Sequence, residues 1–278
     1  MGHHDCSGCG LCLLVCPVWG ETRDVRLTPK GRARAIQHGA SRGELAASVA
    51  GCTLCGACEP ACPEGLPLVE MVMQLRGNPG FAAMGEDFLS FRKILVPGRS
   101  LPADGELPAK ILKSLPGFEL ADDEGADIAA ALESGGAIDQ ARLETFLVPL
   151  SRARRLVVAD GLLLRALRRW LPGIQSTGLG EALLPAISAK LRAGDFYVID
   201  SRSFNQDHAR LVGRYDALRA ASGCQMNLDL QRIAMPAAGQ ARWILEGRKF
   251  ERIVVEDLGE RAAFAFAGKP VLHLAELA

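Results

Sequence analysis

Eight of the nine cysteines in this 278-residue chain lie before residue 63. They form two runs of one spacing. Cys6, Cys9, Cys12 and Cys16 are followed by Pro17, and Cys52, Cys55, Cys58 and Cys62 are followed by Pro63. C-x2-C-x2-C-x3-C-P is the spacing that holds [4Fe–4S] cubanes two at a time. Three thiolates at successive three-residue steps wrap one corner of a cubane, and the fourth points away and ligates the other. By that rule Cys6, Cys9, Cys12 and Cys62 hold one cluster, and Cys52, Cys55, Cys58 and Cys16 hold the second. Zinc is the competing metal, but it favours C-x2-4-C pairs separated by a longer stretch. Gly8, Gly10, Gly56 and Ala57 are small enough for backbone amides to approach cluster sulfurs, which helps set a potential. Pro17 and Pro63 fix φ and remove a donor just after the fourth ligand.

The stretch between the runs reads as helix. Thr28 is placed to N-cap a helix with Pro29 in its first position, running through Lys30 to His38 and stopped by Gly39. Ser41 and Glu44 have capping-box spacing before an apolar run that delivers Cys52. After Pro63, the residues Leu66, Val69, Val72 and Met73 form a helical apolar stripe. Lys30, Arg32 and Arg34 lie between the runs, either to offset cluster charge and dock an acidic partner or as an ordinary solvated face.

Composition narrows the classes. Lys plus Arg equals Asp plus Glu, at 32 each, so the basic excess of a nucleic-acid binder is missing. No apolar run reaches the roughly 20 residues of a membrane span. Thiols crowded at one end of a long chain without a leader pattern point to metal rather than a disulfide scaffold. The expected location is the cytoplasm, or the inner membrane through a partner alone.

Residues 77–104 are rich in Gly and Pro and read as a linker. Beyond them, candidate strands at 94–96, 156–158, 196–199, 253–255 and 271–274 alternate with helices at 162–169, 180–192, 206–221 and 259–267. That alternation implies an α/β unit with a mainly parallel sheet. Arg155–Asp160 and Arg252–Asp257 repeat one pattern of strand, acid, helix. No glycine-rich G-x-G-x-x-G loop follows a strand, so no flavin or nicotinamide site is expected. Cys224 reads as a structural thiol, and His208 and His273 as surface or satisfied core residues. Trp19, Trp170 and Trp243 read as packing residues.

The first 76 residues resemble the helical dicluster ferredoxin of succinate dehydrogenase iron–sulfur subunits, of the heterodisulfide reductase C subunit and of glycolate oxidase iron–sulfur subunits. Leu27-Thr28-Pro29-Lys30-Gly31-Arg32, Cys62-Pro63-Glu64-Gly65-Leu66-Pro67 and Leu75-Arg76 carry the likeness to the glycolate oxidase type. That family continues into two cysteine-rich CCG repeats. Here Leu95–Gly98, Leu132–Gly135, Val157–Asp160, Gly213–Ala217, Ala234–Gly239 and Leu272–Leu277 are similar to segments of those repeats, yet Arg99, Asp160, Ala234, Met235 and Asp257 stand where the family has cysteine. Ala and Met side chains cannot replace thiolates in the usual way.

The resemblance implies an α+β multidomain chain: an α-helical dicluster ferredoxin domain at 1–80, then an α/β domain at 81–278 of degenerate CCG-type repeats, at about 92–175 and 176–278. The implied function is an electron-transfer subunit with two [4Fe–4S] clusters, relaying electrons between a flavoprotein dehydrogenase or electron-transferring flavoprotein and another redox subunit or quinone. A heterodisulfide-reductase-like catalytic subunit and an iron–sulfur redox sensor are the alternatives. No catalytic residue is expected, nor binding to nucleic acid.

Overall fold

Thr28 accepts a hydrogen bond from the Gly31 amide, so the helix after it starts at Pro29. This local signal sits within a run of short helices: α1 (Leu11–Leu14), α2 (Pro17–Thr22), α3 (Pro29–Gln37), α4 (Ala46–Ala50) and α5 (Leu68–Arg76). The computed structural model describes residues 3–77, 92–102, 105–229 and 231–278. The capping box of Ser41 and Glu44 closes in both directions, but it closes a turn, and α4 starts at Ala46. The apolar stripe of α5 is buried, with Val69, Val72 and Met73 all inside.

The rest of the chain builds two sheets. In order come β1 (Lys93–Val96), α6 (Glu106–Ser114), β2 (Phe118–Leu120), α7 (Ala126–Ser134), α8 (Gln140–Ser151), β3 (Arg155–Val158), α9 (Gly161–Trp170), β4 (Gln175–Gly178) and α10 (Leu179–Ile187). Then follow β5 (Asp195–Val198), α11 (Ser201–Gln206), α12 (His208–Ser222), β6 (Gln225–Met226), α13 (Ala241–Leu245), β7 (Arg252–Val255) and β8 (Val271–His273). The strand orders are β2-β1-β3-β4 and β6-β5-β7-β8, with every pairing parallel. β3 and β7 thus hold the same place in their sheets, and each is followed by an aspartate, Asp160 or Asp257, that caps the next helix. The fold is mixed helix and parallel sheet.

Several expected elements shift. The helix expected over 206–221 breaks at Asp207 into α11 and α12. The one expected over 180–192 ends as α-helix at Ile187, and 258–267 is a 3-10 helix. Strands β2, β4 and β6 had no sequence signal, being short or polar. Of the linker read over 77–104, residues 78–91 and 103–104 lie outside the described residues, as does the expected boundary at 80/81, while β1 stands at the centre of a sheet.

Strand alternation sorts the core into three parts. Ile94, Val96, Leu156 and Val158 face one cluster that also takes in Ala33, Val49, Val69 and Val72. The cysteine-bearing helices and the first sheet therefore share one apolar core. Leu95 and Val157 face a second, with α6, α10 and α12 and with Tyr197 and Val254 of the second sheet. Phe196, Val198, Ile253 and Val255 face a third against α13 and Phe264.

Candidate iron–sulfur centre

Two cavities hold the eight cysteines. Cys6, Cys9, Cys12 and Cys62 line one, with Lys30 and Glu64 at its wall. Cys16, Cys52, Cys55 and Cys58 line the other, with Arg32 as its single charged residue among the described ones. Each cavity takes three cysteines from one run and the last cysteine of the other. Among the described residues, no three His, Cys, Asp or Glu converge tightly enough for a single metal ion.

The backbone explains the shape. Gly8 and Gly10 in the first run have φ of 76° and 86°; Leu54 and Gly56, at the same places in the second, have 54° and 79°. Left-handed residues at both positions curl each run around its cavity. Leu54 is a non-glycine in that region, which costs about 1–2 kcal/mol; its side chain is buried. Cys16 is the N-cap of α2, with Pro17 in the first helical position. Pro63 opens a turn instead.

Burial pushes the thiols of Cys12 and Cys55 up to about 11 and lifts Cys58 well above its ordinary value. Neighbouring cysteines add to each rise: Cys6, Cys16 and Cys62 act on Cys12, and Cys52 and Cys16 on Cys55. Burial raises Cys16 too, against the amides of Trp19 and Val18 and the charge of Arg32. Four sulfurs so crowded favour thiolate only when a cationic centre binds among them. Cys9 is exposed, so the first cavity meets the surface; Cys55 is buried.

Of the three cations between the runs, Arg34 lies on the surface, bonded to Gln37. Arg32 does not belong to a solvated face: it is 1% exposed. Its guanidinium donates to the carbonyls of Leu27 and Ser48 and to Ser48 Oγ. No ion pair among the described residues includes it. A buried cation without a counter-charge costs several kcal/mol. A cationic iron–sulfur core together with four thiolates in the adjoining cavity is dianionic overall and supplies one, so the residues present fit a cubane there.

Sequence reading missed three supports. Arg76 donates to the carbonyls of Val49, Ala50, Cys52 and Glu133. Arg202 reaches from α11 to the Thr53 carbonyl and to Glu133, which also bonds Arg99. Burial acts to raise the Glu133 carboxyl, but Arg202 and Arg99 hold it below its usual value. Glu59 accepts the Val69 amide and pairs with Arg165 at 2.6 Å. Only side chains that reach across the chain make these links, and no spacing rule signals them.

The positions read as lost cysteines form no sulfur site. Asp160 caps α9, and Arg99 presents its amide to that carboxylate. Ala234 is buried and Met235 half-buried at a 3-10 turn. Asp257 is lifted to about 7 by burial, with Asp200 and Asp160 adding to it. Two glycines permit this convergence of the sheet ends: a Cβ on Gly161 would meet Arg202 and Asp200, and one on Gly180 would meet Glu256 at 2.3 Å.

Cys224 is buried, and burial raises its thiol. His273 is buried, bonded to the Glu256 carbonyl, and pushed down to about 4 by burial. His208 meets the Phe204 ring edge-on. Trp170 packs inside, but Trp243 is 59% exposed and is no packing residue. It lines an open groove with Trp19, Leu14 and Cys16.

Comparison with known families places a 4Fe-4S dicluster domain at residues 2–66. The segment is a dicluster ferredoxin domain, and the match stops before the first strand. No curated protein and no solved structure matches the chain. No helix among the described residues is long and apolar enough to cross a membrane.

Proposed function

We propose that this chain is an electron-relay subunit that binds two [4Fe–4S] clusters with crossed ligation. Cys6, Cys9, Cys12 and Cys62 hold one; Cys52, Cys55, Cys58 and Cys16 hold the other. The observation that carries this is the lining of the two cavities, each completed by a cysteine of the opposite run. A single zinc ion with bonds of about 2.3 Å to four sulfurs needs a tighter set than any described here. The clusters supply one-electron transfer and no bond chemistry. The chain contributes thiolates, amides aimed by the left-handed residues, and an exposed edge at Cys9.

The rest of the reading follows the family resemblance. A flavoprotein dehydrogenase or electron-transferring flavoprotein stands on one side of the relay, and another redox subunit or quinone on the other. The α/β part, from about residue 81, is a docking platform of two degenerate CCG-like repeats, near 92–175 and 176–278. Identical strand orders and the matched Asp160 and Asp257 support the repeat. Catalytic disulfide reduction lacks its thiols, because Cys224 is the one cysteine after residue 62 and it is buried.

The test is anaerobic isolation followed by metal and sulfide analysis. About eight irons and eight sulfides per chain are expected, with two interacting centres on reduction. Zinc in place of iron, or a third centre, overturns the proposal. Isolation from the native source together with a flavoprotein tests the relay.

A further inference from the structure

We infer that Arg32 is the resident counter-charge of the second cluster and makes it the electron sink of the pair. Electrons taken up at the exposed Cys9 edge then come to rest at the cluster held by Cys16, Cys52, Cys55 and Cys58. The inference rests on the cluster reading above.

The two cavities differ in where their charge sits. Lys30 and Glu64, of opposite sign, wall the first, Arg34 lies at the surface beside Gly8, and Cys9 is exposed. Arg32 alone charges the wall of the second, from a site that water does not reach. Arg76 reaches the Cys52 carbonyl and Arg202 the Thr53 carbonyl behind it. Arg202 is paired with Glu133, which also holds Arg99, and Glu59 with Arg165, so Arg32 is the cation in the wall itself that has no acidic partner among the described residues.

Reduction adds one negative charge to a cluster and neither makes nor breaks a bond. A fixed cation beside the cluster stabilises that added charge. Burial alone works the other way, because it disfavours the more highly charged form. The cation wins at the second cavity because Arg32 stands in its wall and is buried, where a charge is screened far less than at the surface. At the first cavity the wall carries Lys30 and Glu64 of opposite sign, and Cys9 is open to water, which screens charge there. With both clusters bound, an electron gained by the second would be one given up by the first, so the exchange would balance within the chain.

The placement of Arg32 also accounts for its hydrogen bonds. Its Nε and Nη2 are held by Ser48 and Leu27. A guanidinium needed only to join those two segments would not have to stand in the wall of the cysteine-lined cavity.

The experiment is a redox titration followed by electron paramagnetic resonance on wild type, Arg32→Gln, Arg32→Lys and Lys30→Gln, with iron and sulfide counted in each. Arg32→Gln is expected to lower the higher midpoint alone, by tenfold or more in its reduction constant, or about 59 mV for one electron. Arg32→Lys recovers most of that shift, and Lys30→Gln moves only the lower midpoint. A structural role for Arg32 would instead lower iron content with both midpoints unmoved in the loaded fraction, which overturns the inference. So does a shift of the lower midpoint in Arg32→Gln. Should Arg32→Gln bind no iron, Lys30→Gln decides: movement of the higher midpoint overturns the assignment, and movement of the lower supports it. A wild type without about eight irons sinks the cluster reading itself, whatever the variants do.

Discussion

From Cys6 to Arg76 no described residue belongs to a strand, and the helices run only four to nine residues. From Lys93 to His273 the described residues form eight strands, and the central ones are buried almost throughout. Helices under about 12 residues are marginal on their own, so the first region takes its order from elsewhere. Arg32 and Arg76 tie backbone carbonyls together, and the core shared with the first sheet supplies apolar burial. The second region needs none of this, since strand pairing and side-chain burial suffice. One chain thus stabilises a region that must bind metal by geometry, and a region that supports it by packing.

The comparison breaks most visibly at the fourth cysteines. Cys16→Ser should cost the cluster of the second cavity and Cys62→Ser that of the first, each leaving about half the iron by metal analysis. Loss confined to the cluster of the mutated run would refute the crossed arrangement. Removing all iron with a chelator should expose the first region to protease while the sheets keep their circular dichroism.

The next effect belongs to the sheets. Gly180→Val puts atoms where Glu256 already stands. It should cost roughly 1–3 kcal/mol in urea unfolding, the usual scale of overpacking, with the iron count unchanged. If iron falls equally, the two regions are less separate in their energetics than argued.

Glu256 allows a pH test. Burial raises it from 4.5 to about 7, although Tyr215, the Asp200 amide and Tyr197 all bond its ionised form. A carboxyl with a raised folded pKa makes the native state hold its proton longer than the unfolded chain does. Stability from this group is therefore full below about 4.5 and lost as pH climbs to about 7. Glu256→Gln should gain on wild type across that window by roughly 3 kcal/mol, read from urea midpoints at several pH values. A constant difference between the two proteins would show that the group does not titrate there.

The smallest effect is local. Asp139 caps α8 by accepting the Arg142 amide. Asp139→Ala should lower stability by about 1 kcal/mol and leave both clusters intact.

What could be read in advance follows the range of the forces. The two cysteine runs, the Thr28 cap and the buried strands β1, β3, β5 and β7 were legible, because spacing, capping and unbroken apolar runs act within a few residues. The edge strands β2, β4 and β6 were not. Phe118–Leu120 is half open to solvent, Gln175–Gly178 carries Ser and Thr, and Gln225–Met226 is two residues long. Pairing with a distant neighbour makes them strands. Trp243 was misread for the same reason, since its sequence neighbours do not tell which side meets water.

By itself the sequence determined the ligand types, their spacing, and the switch from short helices to a parallel α/β pattern. Those are properties of covalent order and local periodicity. Only the tertiary structure decided that Arg32 is buried without a carboxylate partner among the described residues, and that Asp200, Glu256 and Asp257 crowd where the sheets meet. Each depends on residues brought together from far apart in the chain, where burial removes the water that would otherwise screen charge.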